Sequence, residues 1–441
     1  MSKAGVGTFV TEDHELASSG LALFDLPIVD TSLVSGKFVT IYPRTVLSSA
    51  GPHEFTIPSD GQDFTDLPYT RLEGCLEVLK ADGTKLTDTE VNAYVNLLPQ
   101  SLFKQIELYI NNTQISDISA PTAAWKAAIE TILTFPEAVK NTTLQLEHFL
   151  KDTLGAENTF SITTCDSFKK RHAVAKNGKI YFSMIIHLDF FQSTKLLLPK
   201  CEIKLKLLRN EDDFSLLGAE KVSKIKIHDL KLLVRRVSVA PSIVDQIEAN
   251  LLKTPAIYPV ANSRVNSFIL TKDQKVVRIS NIFNGLTPRS FIVTFVHMDA
   301  YNGSVAKNPF VFEHFKLNSF QAYIDGTPIL TETFQPDFAK NQFYREYRWF
   351  LDNLGFAHDR ESNGITMEEF KTNSFFLPFD LSPDLSNGAT LSTPKGGNLD
   401  FLLGFETALP HNVAMIVYAT FNEGVLIDSD RVVTMTNGTN N

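Results

Sequence analysis

Two fourteen-residue segments, Leu102 to Ile115 and Lys316 to Ile329, align without gaps and match at Tyr109 with Tyr323, Ile110 with Ile324, Thr113 with Thr327 and Ile115 with Ile329. The matches share one offset of 214 residues, close to half of the 441-residue chain. In both copies an alternating segment enters a two-residue turn, Asn111-Asn112 or Asp325-Gly326. A tryptophan-bearing helical pattern follows each after about ten to twenty residues, a connection long enough to mark an elaborated loop. A supersecondary unit that recurs at half-chain spacing, with its neighbours in the same order, is the signature of duplication. The chain must then build one architecture twice. The acidic Glu211-Asp212-Asp213 and the Gly-containing stretch after it place the boundary near Leu217 to Glu220. This predicts an N-terminal arm over residues 1–20, a first unit over 21–218, a second over 219–432 and a polar tail over 433–441.

The units read as β. In Lys200 to Leu208, Ile203, Leu205 and Leu207 alternate with Glu202, Lys204 and Lys206, which puts apolar groups on one sheet face and charges on the other. Lys221 to Ile227, Leu230 to Val239, Phe291 to His297 and Phe103 to Ile110 alternate likewise. Asp82-Gly83, Asn177-Gly178, Asn284-Gly285, Asn387-Gly388 and Gly396-Gly397 supply further turns that tolerate positive φ. Many short strands joined this way predict an all-β sandwich or barrel. Helical spacing is confined to Pro121 to Thr134, Pro241 to Leu252 and Phe338 to Leu354, the last ending at Gly355. Thirty-four phenylalanines against two tryptophans suit sandwich cores in which rings from two sheets interdigitate.

The chain is 43% apolar and 21% charged, with a net charge of −9, so a strongly basic face that grips nucleic acid phosphates is not expected. Three separated cysteines, Cys75, Cys165 and Cys201, form no Cys-x-x-Cys pair and fit a reducing compartment. The first twenty residues show no export signal, and no apolar run approaches the roughly 18 residues that span a bilayer. The sequons at Asn111, Asn141, Asn302 and Asn437 matter only in a secreted protein. Gly36-Lys37 lacks the upstream glycine of a phosphate loop, and there is no His-Glu-x-x-His, Gly-x-Ser-x-Gly or His-x-His. His187, His228 and His297 sit singly in alternating strands, as packed imidazoles do. Glu211-Asp212-Asp213 lacks the spaced oxygens of a calcium loop and reads as a solvated acidic run. Arg235-Arg236 reads as one outward side chain and one paired at a sheet edge. Lys169, Lys170 and Arg171, followed by His172, form the candidate site: a nucleic acid or nuclear-import contact, against the plainer reading of an exposed hairpin loop ending at Asn177-Gly178. No catalytic residues, metal ligands or cofactor are predicted.

Strings along residues 55–431 resemble the major capsid protein of Polinton (Maverick) elements and the related adintoviruses. They include Val95-Asn96 through Tyr109, Phe190-Phe191-Gln192 with Ile203-Lys204-Leu205, and Val234-Arg235-Arg236-Val237 with Pro241-Ser242. Further along stand Asp299-Ala300-Tyr301-Asn302-Gly303-Ser304, Lys307-Asn308-Pro309-Phe310, Gln335-Pro336-Asp337-Phe338, Phe379-Asp380-Leu381-Ser382-Pro383-Asp384-Leu385-Ser386, and Gly397-Asn398-Leu399 with Ala408-Leu409-Pro410 and Ile416-Val417-Tyr418-Ala419. The chain departs from the family at Pro121-Thr122-Ala123-Ala124-Trp125, where relatives carry an aromatic-proline-aromatic-arginine stretch, and in its short tail.

The resemblance implies a double jelly roll: two tandem eight-stranded β-sandwiches with short helical insertions. It also implies a non-enzymatic virion protein that forms homotrimers of pseudo-hexameric outline. Neighbouring capsomers, a separate single-jelly-roll penton protein and packaged double-stranded DNA would be its partners, and an endogenous genomic copy of such an element is one setting for it. On that reading Phe310, Phe312, Phe315, Phe320, Phe343 and Phe350 are expected to serve both the cores and the contacts between subunits. A glycan-binding jelly roll, and a hydrolase on the same scaffold, are the competing expectations.

Overall fold

The computed structural model describes residues 31–47, 51–59, 61–87, 91–116, 122–219, 221, 223–356, 361–383 and 395–437. The first half is built from β1 (Leu33–Ile41), β2 (His53–Ile57), β3 (Phe64–Lys80), β4 (Asn92–Tyr94), β5 (Phe103–Ile110), β6 (Thr113–Gln114), β7 (Lys179–Ile185), β8 (Ile203–Arg209), β9 (Leu216–Gly218) and β10 (Ser223–Val239). The second half is built from β11 (Ala256–Leu270), β12 (Val276–Ile279), β13 (Leu286–Thr287), β14 (Ser290–His297), β15 (Leu317–Ile324), β16 (Thr327–Pro328), β17 (Leu377–Asp380), β18 (Lys395–Gly396), β19 (Leu399–Phe405), β20 (Val413–Ile427) and β21 (Val433–Asn437). The first half pairs as β1-β10-β3-β7 and β2-β8-β5-β6, with the short ladder β4-β9. The second pairs as β11-β20-β14-β17 and β12-β19-β15-β16, with the short ladder β13-β18 and β21 added to β20. In the four-stranded sheets the two orders coincide strand for strand, with the first and last long strands of each half paired. Each half is an eight-stranded jelly roll.

The sequence repeat is also a repeat of geometry. Asn111 and Asn112 have φ of 47° and 67°, and Asp325 and Gly326 have 49° and 79°, so both hairpins use the two positive-φ residues of a twist-matched turn. Asn111 accepts the Glu202 amide on Oδ1 at 2.7 Å, and Asp325 accepts the Asn398 amide on Oδ1 at 2.8 Å. The strand entering each turn is bulged at the same place, between Phe103 and Gln105 and between Leu317 and Ser319. These shared irregularities carry the duplication further than four identical residues do. Alternation places the side chains as the pattern predicts: Ile203, Leu205 and Leu207 of β8 are buried while Lys204 and Lys206 lie partly in solvent.

The halves exchange elements. The helix Ala123–Thr134, from the first half, lodges Trp125, Ala128, Ile129 and Leu133 in the core that the second sandwich forms around Phe291, Phe320, Phe379 and Phe401. In return Tyr258, Val260, Val425, Ile427 and Val433 of the second half complete the first core around Leu72, Leu205, Leu207 and Leu232. No helix among the described residues is long and apolar enough to cross a membrane.

The structure corrects several expectations. Ser223–Val239 is one strand, and it pairs with β1 and β3. The change of sandwich therefore falls at the helix Pro241–Leu251, not near Leu217 to Glu220. A jelly roll closes by bringing its last strand back beside its first, and the acidic stretch marks the turn before that strand. Within the tail beginning at residue 433, Val433–Asn437 is a strand on β20. The third helix begins at Tyr344, not Phe338, and Gly355 takes the predicted left-handed φ of 80°. Phe310, Phe312, Phe320, Phe343 and Phe350 are buried within the chain, so these five rings form no open face for subunit contact, and Phe315 is partly buried against the same core. The N-terminal arm, Pro121 and Asp384-Leu385-Ser386 lie outside the described residues.

Replacing Asp325 with Ala removes one side-chain hydrogen bond and replacing Asn111 removes two, since its Nδ2 also donates to the Arg431 carbonyl at 2.9 Å; each leaves an alanine at positive φ. Each is expected to cost about 1–2 kcal/mol in urea titrations, and the two costs should add because the sites lie in different sandwiches.

Candidate assembly site at the junction of the sandwiches

Trp125 anchors the junction. Its ring stacks on Tyr301 at 5.6 Å between centroids, and meets Phe310 and Phe312 edge-on from the second half and Phe214 from the first. Such a cage buries the largest side chain available and adds ring–ring attraction to the area term. Helical spacing then sets Lys126 and Glu130 one turn apart beside it.

These two residues open a buried polar cluster. Lys126 Nζ lies 2.6 Å from Asp189 Oδ2 and 3.7 Å from Glu130. Glu130 Oε2 pairs with His187 Nδ1 at 2.6 Å, and its Oε1 accepts the Tyr418 hydroxyl at 3.0 Å. Asp189 accepts the Ser263 amide at 2.8 Å and its hydroxyl at 3.0 Å, and Ser263 Oγ stands 2.8 Å from Tyr418 Oη. Ser263 and Tyr418 belong to β11 and β20, the other four to the first half, so the cluster spans the junction. Burial works against every charge here. The Asp189 and Glu130 carboxylates outweigh it for the Lys126 ammonium, whose pKa is raised, and Lys126 outweighs it for Glu130, which is held below the ordinary carboxylate range. Burial, reinforced by Glu130 and Asp189, pushes the Tyr418 hydroxyl well above its usual value.

Beside the cluster runs a groove of about 660 Å³, its walls including Leu67, Phe191 and Phe135 on one side and Ile292, Pro378 and Asp380 on the other. The Glu130 and Asp189 carboxylates that reach it are both engaged by Lys126. Both belong to one ion cluster, in which burial, with Glu130 beside it, raises the Asp189 carboxyl despite Lys126.

A second seam joins the loop insertions. Lys140 Nζ donates to the carbonyls of Ile132 at 2.5 Å and Asn363 at 2.6 Å, and burial pushes its pKa down to about 7. Lys151 pairs with Glu369 at 2.6 Å. Asp152 takes Arg171 at 2.5 Å on one oxygen and Asn308 at 2.9 Å on the other.

That pairing changes the reading of the basic cluster. Asp166–Lys176 is a helix, not a hairpin loop, since its residues follow the 3.6 period with Phe168, Arg171, His172 and Ala175 facing inward. Arg171 is buried and bonded to Asp152, and His172 Nδ1 meets the Asn92 carbonyl at 2.8 Å. Lys169 and Lys170 alone of the three candidate residues face solvent. Arg235 and Arg236 both have partners, Asp66 for the first and Thr65 with the Pro58 carbonyl for the second, on a central strand and not at an edge. Of the acidic run, Asp212 pairs with Arg209 and Asp213 with Lys221. His187, His228 and His297 each meet a carboxylate. Among the described residues no group of three or more His, Cys, Asp or Glu could hold a metal ion.

The architecture has close counterparts among solved structures. A chain of the Sputnik virophage particle superposes over 100% of this chain and 96% of its own, with a TM-score of 0.65 at 12% identity. A chain of the PBCV-1 virus capsid gives 0.60 at 11% identity over 94% of this chain and 99% of its own. The mavirus major capsid protein gives 0.54 at 12% identity over 99% and 95%. The fold is the double jelly roll. No known protein-family profile matches the chain. An uncharacterised protein of Caenorhabditis elegans is 23% identical over 418 residues, which span 91% of this chain and 97% of that one.

Arg171→Ala leaves a buried carboxylate without its cation and is expected to cost about 3–5 kcal/mol by urea titration. Lys169→Ala and Lys170→Ala should stay within about 0.5 kcal/mol of wild type. Lys140 makes a pH prediction. In the unfolded chain its amine titrates near 10.5 and in the fold near 7, so between those values the unfolded chain holds the extra proton. This group therefore makes the fold more stable as pH rises from about 7 to about 10.5. Across that window the melting temperature of wild type should gain on that of Lys140→Met, whereas a constant difference would mean that the folded amine keeps its ordinary pKa.

Proposed function

We propose that this chain is a major capsid protein. Three copies form a pseudo-hexameric capsomer, and capsomers tile an icosahedral shell around double-stranded DNA. The observation that carries the reading is the pair of like jelly rolls fused into one body. Two similar domains per chain give a threefold molecule six similar edges, which is what a nearly hexagonal lattice requires. Proteins of the same fold in the Sputnik particle, the PBCV-1 capsid and mavirus support it. The ordered motif strings favour the Polinton and adintovirus lineage, with a separate penton protein at the vertices and an endogenous genomic copy as one setting.

A shell protein works through surfaces and needs no active site, and the carboxylates at the junction are committed to holding it. With a net charge of −9, DNA is confined by the closed wall more than by phosphate contacts. Lys169 and Lys170 are the candidates for a DNA or import contact. Arg171 is not, being spent on Asp152.

Purified protein at micromolar concentration should run at three times its single-chain mass of 49.2 kDa, and electron microscopy should show triangular or hexagonal plates or closed shells. A single-chain mass with no larger species would overturn the reading.

A further inference from the structure

Lys126 and Asp189 are held more firmly than an ion pair needs. Trp125, caged by Phe214, Tyr301, Phe310 and Phe312, fixes the backbone beside Lys126, and Asp189 opens the short turn Asp189–Gln192 after β7. Both side chains are shielded, 12% exposed for Lys126 and 14% for Asp189, and Nζ stands 2.6 Å from Oδ2. An amine nitrogen so close to a carboxyl oxygen lies near the carbon that bears it. Reacting atoms fixed about 3–3.5 Å apart gain the rate advantage of an intramolecular reaction.

The groups around this pair are those that acyl transfer requires. Glu130, one helical turn from Lys126, places Oε1 3.7 Å from Nζ, while Tyr418 and His187 hold its two oxygens. Burial opposes its charge, but Lys126 and His187 keep it below the ordinary carboxylate range, so it is present as a base. Burial raises the Asp189 carboxyl against the pull of Lys126, with Glu130 adding to the rise, which favours the neutral acid that an amine can attack. Ser263 donates its hydroxyl to Asp189 Oδ1 at 3.0 Å and its amide to Oδ2 at 2.8 Å. That hydroxyl stands where negative charge develops when a nucleophile adds to the carboxyl carbon. Ser263 comes from β11, so the site is complete only once the two sandwiches have docked.

We propose that Lys126 and Asp189 join in an isopeptide bond, with Glu130 as the catalytic base. The Lys126 ammonium passes one proton to Oδ2 along their hydrogen bond. The amine then attacks Cγ: the C–N bond forms, and the electron pair of the carbonyl moves onto Oδ1 under the Ser263 hydroxyl. Glu130 takes a second proton from the nitrogen and hands it to Oδ2. As the carbonyl reforms, the Cγ–Oδ2 bond breaks and Oδ2 leaves as water. One ammonium and one carboxylate become one amide and one water, and no other reactant is needed. Two buried charges disappear, and with them a desolvation cost that an ion pair offsets only in part. The bond ties the helix Ala123–Thr134, which is seated in the second sandwich, to the chain beyond β7. The inference goes beyond the capsid reading and does not rest on it.

Mass spectrometry of the intact, denatured chain tests the bond. Wild type should be lighter than its sequence by the mass of one water. Trypsin should release a branched peptide in which residues 105–140, uncut at Lys126, are joined to residues 180–195. Lys126→Arg keeps the cation but offers no amine to acylate, so it should show its full sequence mass and no branched peptide. Glu130→Gln, with the wild-type circular dichroism spectrum, should be mostly unlinked when freshly purified. Wild type at its full sequence mass after prolonged incubation at neutral pH overturns the proposal, and so does a loss of water that maps to other residues. Complete linkage in Glu130→Gln overturns the assignment of Glu130 as the base.

Discussion

The structure depends on an exchange at the junction: each sandwich finishes its core with pieces of the other. Trp125 and the helix that carries it belong by sequence to the first half and by packing to the second. The ends of β11, β20 and the strand β21 do the reverse. Neither half encloses its apolar groups alone, and burial of apolar surface is the dominant favourable term in folding. The two jelly rolls therefore behave as one solid and not as beads on a linker. A lattice tile needs that stiffness, because a hinge between the halves would let its edges vary.

The ion cluster adds register to this stiffness. Buried charges gain little net stability, since desolvation offsets most of their attraction, yet stranding one of them costs about 3–5 kcal/mol. Sliding the sandwiches would part Asp189 from Ser263 and Glu130 from Tyr418 and leave the carboxylates short of partners. Packing brings the halves together, and Lys126, Glu130, His187 and Asp189 fix how they sit. The same division of labour appears in the loops, where Lys140, Lys151 and Asp152 tie insertions of the first half to those of the second.

Much of the fold was legible because its causes are local. Alternation in Ile203 to Leu207, the turn pairs Asn111-Asn112 and Asp325-Gly326, and the cap at Gly355 each act within a few residues. The repeat was legible because both copies keep the same turn. What escaped was closure and contact through space. Ser223–Val239 alternates as a strand whichever sandwich it joins, and only its pairing with β1 and β3 decides. The basic run was misread because three adjacent cations suggest solvent, while a helical turn carries Arg171 inward to an aspartate 19 residues upstream. Nothing in the spacing of Lys126, Asp189, Ser263 and Tyr418 announces that they meet. A lysine and a glutamate four apart on an otherwise apolar helix face were the available hint.

The central claim is that the halves form one cooperative body, and scanning calorimetry of the intact chain tests it most directly. The account predicts a single endotherm whose calorimetric and van't Hoff enthalpies agree. Two separated transitions, each with the enthalpy of half the chain, would show that the sandwiches unfold independently and would contradict it.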